Sequence, residues 1–441
     1  MSGFELALSE EDNTEILSEM NCLMRNFQEN YLMTARDYAD AGCYEEAIAI
    51  LEQCTKAYPL LSYYKGYYYA KLGNTEKCIS EYKEADACNP IYCFPNKLED
   101  IAVLKEAIRV LPKGAKAYYY LGNLYYDKLQ FEQAIGLWEK STALDNSYPT
   151  VHRNLSIAYY NKQGNLQKAK TEMEKAFALD ETDSRVFLEL DQLYKKLGVP
   201  FTERLERYEK HMDIVAERDD VMLEFVTLYN LTGMHKKAYE TIMSHTFRPW
   251  EGAEGRISGQ YKIALLEMAK EKIAQAQYEQ AEELLQKAII YPHNLGEGKL
   301  EGTKDNHLYY YLGIVKRMLG SQAEAAECFE KARIGENEPA GVLYYYDQPA
   351  DMILYKGLAN LELGNTKEAY ACFNKLMDYG ERHLNDEMKD DFFAVSLPDF
   401  LIFEEDMNVR NKAHCFYLMG LAKLGICLLY TSDAADDTPC V

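Results

Sequence analysis

Five acidic residues, Glu251, Glu254, Glu297, Asp347 and Asp351, fall in or beside irregular stretches of the chain. Paired carboxylates at such places are what glycoside hydrolysis requires, one as acid and one as base or nucleophile. The chain, however, holds 71 acidic residues against 48 basic ones, so neighbouring carboxylates arise from composition alone. The histidines His152, His211, His245, His293, His307, His383 and His414 show none of the i, i+4 spacing that places two imidazoles on one helix face for a metal. The eleven cysteines are scattered and none forms a Cys-x-x-Cys pair. Cys88 and Cys93 lack the second pair that a zinc site needs. No nucleophile elbow, phosphate loop or dinucleotide fingerprint occurs. The expectation is a chain that is not an enzyme, with no catalytic residue, metal or cofactor.

Composition narrows the partners. A net charge of −23 leaves no basic stripe to track a phosphate backbone, so nucleic acid is not expected. No apolar run reaches the roughly 18 residues that span a bilayer, and the acidic start Met1-Ser2-Gly3-Phe4-Glu5 lacks the regions of a signal peptide. The chain reads as soluble and cytoplasmic, with cysteines serving as buried free thiols.

The elements that must position any site are repeated helices. Tyr118-Tyr119-Tyr120-Leu121-Gly122-Asn123-Leu124-Tyr125 is answered by Ala134, Trp138 and Ser141, and the next unit gives Leu155, Ser156, Tyr159, Ala169, Met173 and Ala176. Gly122 and Ser156 stand 34 residues apart. The first helix carries a small residue that lets the second approach, and the second carries small, large and small residues on the one face that packs on the first. Gly66 with Tyr82, Gly313 with Phe329 and Gly357 with Phe373 repeat the arrangement, and Gly73, Gly233, Gly320 and Gly364 end first helices. The pattern resembles the tetratricopeptide repeat, a pair of antiparallel helices about 34 residues long, in about nine to ten units. The resemblance implies an all-α fold, a right-handed superhelical solenoid of helix hairpins, with an array over residues 28–426. Residues 1–27 read as a leading helix or extension. Residues 91–114 do not fit the period and read as an atypical or inserted hairpin.

In such repeats certain first-helix positions line a concave groove. Tyr63, Tyr119 and Tyr310 share one of them, and Tyr67, Asn123, Tyr126, Asn154 and Tyr160 fall on others. Tyrosine gives large contact area with little rotamer loss, which suits recognition. The expected occupant is an extended protein or peptide segment, or a covalently linked domain. Some tetratricopeptide proteins clamp a terminal carboxylate with Lys and Asn. Asn123, Asn154 and Arg185 lie near those positions, but Tyr119 stands where lysine is expected and Glu189 opposes an anion.

Four irregular connections carry further candidates: Trp250 and Glu251; Asn294 and Glu297; Asp347 and Gln348; Pro398 and Asp399. Long loops rich in aromatic and acidic residues are where contacts with partners concentrate. Their order, with Asp391-Phe392-Phe393-Ala394-Val395-Ser396-Leu397-Pro398-Asp399 and the stretch from Asn408 to His414, resembles the C-terminal repeat region of a bacterial family of unknown function. Proteins of that family begin with β-rich, sugar-enzyme-like domains. The resemblance implies a docking scaffold, or alternatively an array that completes the carbohydrate-binding cleft of an N-terminal domain absent from this fragment. After Ile426 the helical pattern stops. The string Cys427-Leu428-Leu429-Tyr430-Thr431-Ser432-Asp433-Ala434-Ala435-Asp436-Asp437 resembles translated read-through of a sequencing-library adapter, so residues 427–441 read as non-native and the chain as a metagenomic fragment.

Overall fold

Gly122 lets two helices approach until the indole of Trp138 lies where a β-carbon would stand, 2.5 Å from Nε1. Gly66 does the same for the Tyr82 ring and Gly313 for the Phe329 ring, each at 2.5 Å. These small-against-large contacts are the repeating device of the fold, seen in a computed structural model that describes residues 22–248, 253–339, 348–388 and 402–433. The chain is all-α, built of helix hairpins, with no strand among the described residues. It divides into two compact units, residues 1–193 and 194–441.

Unit 1 holds α1 (Gln28–Asp40), α2 (Tyr44–Glu52), α3 (Pro59–Lys71), α4 (Thr75–Ala87), α5 (Leu98–Val110), α6 (Ala115–Asp127), α7 (Phe131–Leu144), α8 (Pro149–Gln163), α9 (Leu166–Leu179) and most of α10 (Ser184–Lys196). Pairs form between α1 and α2, α3 and α4, α6 and α7, and α8 and α9. Pro59 and Pro149 start helices, where the missing N–H costs nothing. Asn74 and Asn165 cap the second helices by accepting from the backbone amides of Lys77 and Lys168, both at 3.1 Å. Gly73 closes α3 at φ 75°. In the best-matching hairpin that turn position belongs to Leu129, which adopts φ 60° without glycine's freedom. Ser156 replaces glycine in the next hairpin because its hydroxyl donates to the Ala169 carbonyl at 2.7 Å.

The irregular stretch 91–114 forms a strap followed by the single helix α5, rather than the hairpin expected from its apolar period. Its order comes from Asp100, which is 1% exposed. One carboxylate oxygen accepts from the backbone amides of Asn96 and Lys97, each at 2.9 Å, and the other from the Tyr64 hydroxyl at 2.5 Å.

Unit 2 holds the end of α10, α11 (Phe201–Lys210), α12 (Met212–Val215), α13 (Asp219–Leu231), α14 (His235–Ser244), α15 (Arg256–Ala274), α16 (Tyr278–Ile289), a 3-10 turn (His293–Leu295), α17 (Asn306–Met318), α18 (Gln322–Ala332), α19 (Met352–Glu362), α20 (Thr366–His383) and α21 (Met407–Asp433). Phe373 is wedged between Gly357 and Gly425, inside a cluster with Ile353, Leu376, Leu418 and Ala422. The helical pattern was expected to break after Ile426, but the backbone of α21 stays helical to Asp433. Burial ends sooner: Ile426 packs on the cluster, while Leu428 is 42% exposed. Adding a residue to an existing helix needs only one further hydrogen bond, so helix outlasts packing. No described helix is long and apolar enough to cross a membrane.

Candidate functional site

On α6 all three tyrosines of the run are buried, Tyr119 at 4% exposure, but they face different neighbours. Tyr120 turns inward, fully buried, its ring edge-on to Tyr63 at 5.8 Å. Tyr119, Asn123 and Tyr126 recur at steps of four and three residues, so they form one stripe about a quarter turn round the helix from Tyr120. That stripe lines a cleft of about 460 Å3 within unit 1. Asn154, Arg153 and Ile157 of α8 face it, with Trp138 of α7 behind and Asp180, Asp183 and Arg185 at one end. The strap contributes Pro90, Ile91, Tyr92 and Phe94.

The polar groups of the cleft have fixed roles. An indole N–H can only donate. Trp138 Nε1 lies 3.0 Å from the side-chain oxygen of Asn123 and 3.2 Å from the Tyr119 carbonyl. Asn154 Nδ2 donates to the same Asn123 oxygen at 3.0 Å. The Asn123 carbonyl is therefore held by two donors, and its NH2 group is turned outward as a donor. Arg153 forks onto the buried carboxylate of Glu189, at 2.5 and 2.6 Å. Arg185 lies 3.8 Å from Asp183 and 4.0 Å from Glu189. Burial raises the hydroxyl pKa of Tyr120 and of Tyr148, so both stay neutral.

The seven groove candidates of unit 1 do not make one surface. Tyr119, Asn123, Tyr126 and Asn154 come together in the cleft. Tyr63 is 1% exposed, packed against Tyr82 and Tyr120, and offers no face to a partner. Its ring is enclosed by Tyr82 of α4 and Tyr120 of α6, so its template position is spent on packing between helices. Tyr67 lines a separate hollow with Lys71, Lys105 and Arg109, and the Lys71 ammonium sits 5.0 Å from its ring. Tyr160 is half-buried and outside the cleft lining. Tyr310 belongs to unit 2, half-buried against Phe329 and Tyr355, and burial pushes its hydroxyl up to about 12.

The described loop candidates serve the fold instead. Asn294 donates to the carbonyls of Ile242 and His245, at 2.7 and 2.9 Å, while its own carbonyl accepts from Phe247. Glu297 accepts from the Gly255 and Ser258 amides at the start of α15. Gln348 is 7% exposed and holds Glu336 by both its amide and its carbonyl. Trp250, Glu251, Asp347, Pro398 and Asp399 lie outside the described residues, as does the stretch Asp391 to Asp399. Glu254 and Asp351, two of the candidate acids, are described; burial raises the pKa of Asp351. Among the described residues no three His, Cys, Asp or Glu side chains are grouped to hold a metal. The site residues that sequence reasoning missed are Ile91, Tyr92, Phe94 and Arg153. Pro90 and Pro95, bracketing a stretch that breaks the helical period, were the available signal.

The cleft lies on a stretch with a known sequence pattern. Residues 122–163 match the family described as TPR repeat, and residues 32–90 match that described as tetratricopeptide repeat. The chain carries tetratricopeptide repeats. Among solved structures with similar repeats are MamA (41-end) from Desulfovibrio magneticus RS-1 (20% identity, 44% of this chain and 97% of that one, TM-score 0.26) and the thermophilic tetratricopeptide protein TTC0263 of Thermus thermophilus (18%, 46% and 98%, TM-score 0.26). The tetratricopeptide domain of P58(IPK) aligns over 95% of this chain and 96% of its own at 12% identity, TM-score 0.27. The tetratricopeptide stretch 122–163 supplies Asn123, Tyr126, Trp138, Arg153, Asn154 and Ile157 to the cleft.

Proposed function

We propose that the chain is a protein-interaction scaffold, not a catalyst, and that the cleft of unit 1 holds a protein or peptide segment. The observation that carries this reading is the Asn123 amide, turned outward by Trp138 and set between Tyr119 and Tyr126. A fixed donor between aromatic faces suits a backbone carbonyl flanked by apolar side chains. The segment belongs either to a separate protein or to a domain linked N-terminal to the array. Cys78, Cys93, Cys328, Cys372 and Cys415 are buried free thiols, which supports a reducing compartment such as the bacterial cytoplasm. Asn294, Glu297 and Gln348 commit polar groups to the chain itself, which lends no support to a carbohydrate cleft at these loops.

Panning a displayed random-peptide library against the chain tests the proposal. Peptides recovered by the wild type but lost with Tyr126→Ala or Asn123→Asp support it. Recovery of no peptide, or of peptides that bind both variants as well as the wild type, overturns it.

A further inference from the structure

The strap breaks the usual rule of burial in an ordered way. Pro90, Cys93 and Pro95 are buried, whereas Ile91, Tyr92 and Phe94 are 45%, 80% and 64% exposed, and all three line the cleft. Such a run of outward apolar side chains is costly in water unless something covers it. It is not a frayed loop. The Asn89 side chain accepts from the Ile91 amide at 3.0 Å, Cys93 is anchored in the interior, and Asp100 holds the far end. Tyr92 even adopts φ 59°, a left-handed conformation that a tyrosine takes only when its surroundings impose it. The fold thus holds an aromatic wall against solvent beside a cleft whose other wall is the half-buried Tyr126, with the buried Tyr119 beneath it.

Charge decides what the wall recognises. Arg153 and Arg185 face Asp183 and Glu189, and Asp180 adds a third carboxylate. Each carboxylate is occupied: Glu189 by Arg153, Asp183 by the Arg185 and Val186 amides, Asp180 by Thr182. An anionic tail therefore meets surplus negative charge.

We infer that the strap and the Tyr119–Tyr126 stripe form a specificity pocket for one bulky apolar side chain of a peptide free of acidic residues, with Asn123 donating to a backbone carbonyl beside it. This rests on the peptide-binding reading above and adds the class of residue that is read. The strap lies outside the repeat pattern, so the selectivity comes from what interrupts the array.

Trp138 lines the cleft, and Trp250 is the chain's second tryptophan. In the Trp250→Phe protein, fluorescence therefore reports on the cleft. The probes are blocked peptides Ac-Gly-Gly-Xaa-Gly-Gly-NH2 with Xaa as Phe, Leu, Ala or Asp. Phe and Leu should produce a saturable change in Trp138 emission, with Ala about 10-fold weaker or more and Asp weaker still. Tyr92→Ser with Phe94→Ser should weaken the Phe peptide by about 10-fold and remove the preference over Ala. Both positions are exposed, so the thermal midpoint should hold and separates recognition from folding. Peptides that bind without regard to Xaa, or with the same preference after the strap changes, overturn the pocket while leaving the scaffold reading in place. No response to any of these peptides, in a chain that panning shows to bind others through Asn123, also overturns the pocket. Failure in both experiments overturns pocket and scaffold together.

Discussion

Gly122 is the residue on which the cleft turns. A methyl group there would collide with the indole that fixes Asn123. Gly122→Ala should cost about 1–3 kcal/mol and weaken peptide binding beyond that loss, because Trp138 must shift; chemical denaturation beside peptide titration checks both. Tyr63 behaves in the opposite sense. Its hydroxyl is buried without a hydrogen-bond partner, and burial raises its pKa well above the ordinary range. Tyr63→Phe removes a desolvated polar group while keeping the ring, so it should leave stability unchanged or raise it by roughly 1 kcal/mol, read from the urea midpoint. Sequence alone made Tyr63 and Tyr119 equivalent. Both are buried, at 1% and 4% exposure, yet only Tyr119 borders the cleft, because a template position fixes direction relative to the helix, not what packs around it. Asn294, Glu297 and Gln348 show the same limit: a polar loop residue has the same letter whether it bonds its own backbone or a partner's.

At the scale of the element, the hairpins were legible because their rule is local. A small residue, a large one and a turn recur at fixed spacing, and Gly66, Gly122 and Gly313 sit against their rings as that rule requires. The strap was not legible, since it obeys no period and its order depends on Asp100 and Tyr64 from separate helices. The turn after α6 offers a direct test of the rule. Leu129 is 70% exposed and takes φ 60°, the position Gly73 fills after α3. The left-handed conformation costs a non-glycine residue roughly 1–2 kcal/mol, part of which glycine's greater freedom in the unfolded chain offsets. Leu129→Gly should therefore stabilise by about 0.5–1 kcal/mol, seen as a higher thermal midpoint with peptide binding unchanged.

For the molecule as a whole, the acid limb of stability should carry the mark of one half-buried imidazole in unit 2. Burial, with Lys262 adding to it, lowers His307 from 6.5 to about 4; Lys270 and Lys299 act in the same direction and Asp305 against it. The unfolded chain accepts that proton near 6.5 and the folded chain only near 4. This contribution is complete above about 6.5, declines as pH falls toward about 4, and is level below. His307→Gln should flatten the fall over that window, measured by urea unfolding at stepped pH against the wild type. Finally, Cys93 has a use beyond anchoring the strap. Its thiol is buried and held up to about 12, inert to alkylating reagents while the strap is seated. Its rate of capture by iodoacetamide, followed by mass spectrometry, therefore clocks how often the strap lifts, and a bound peptide should slow that clock.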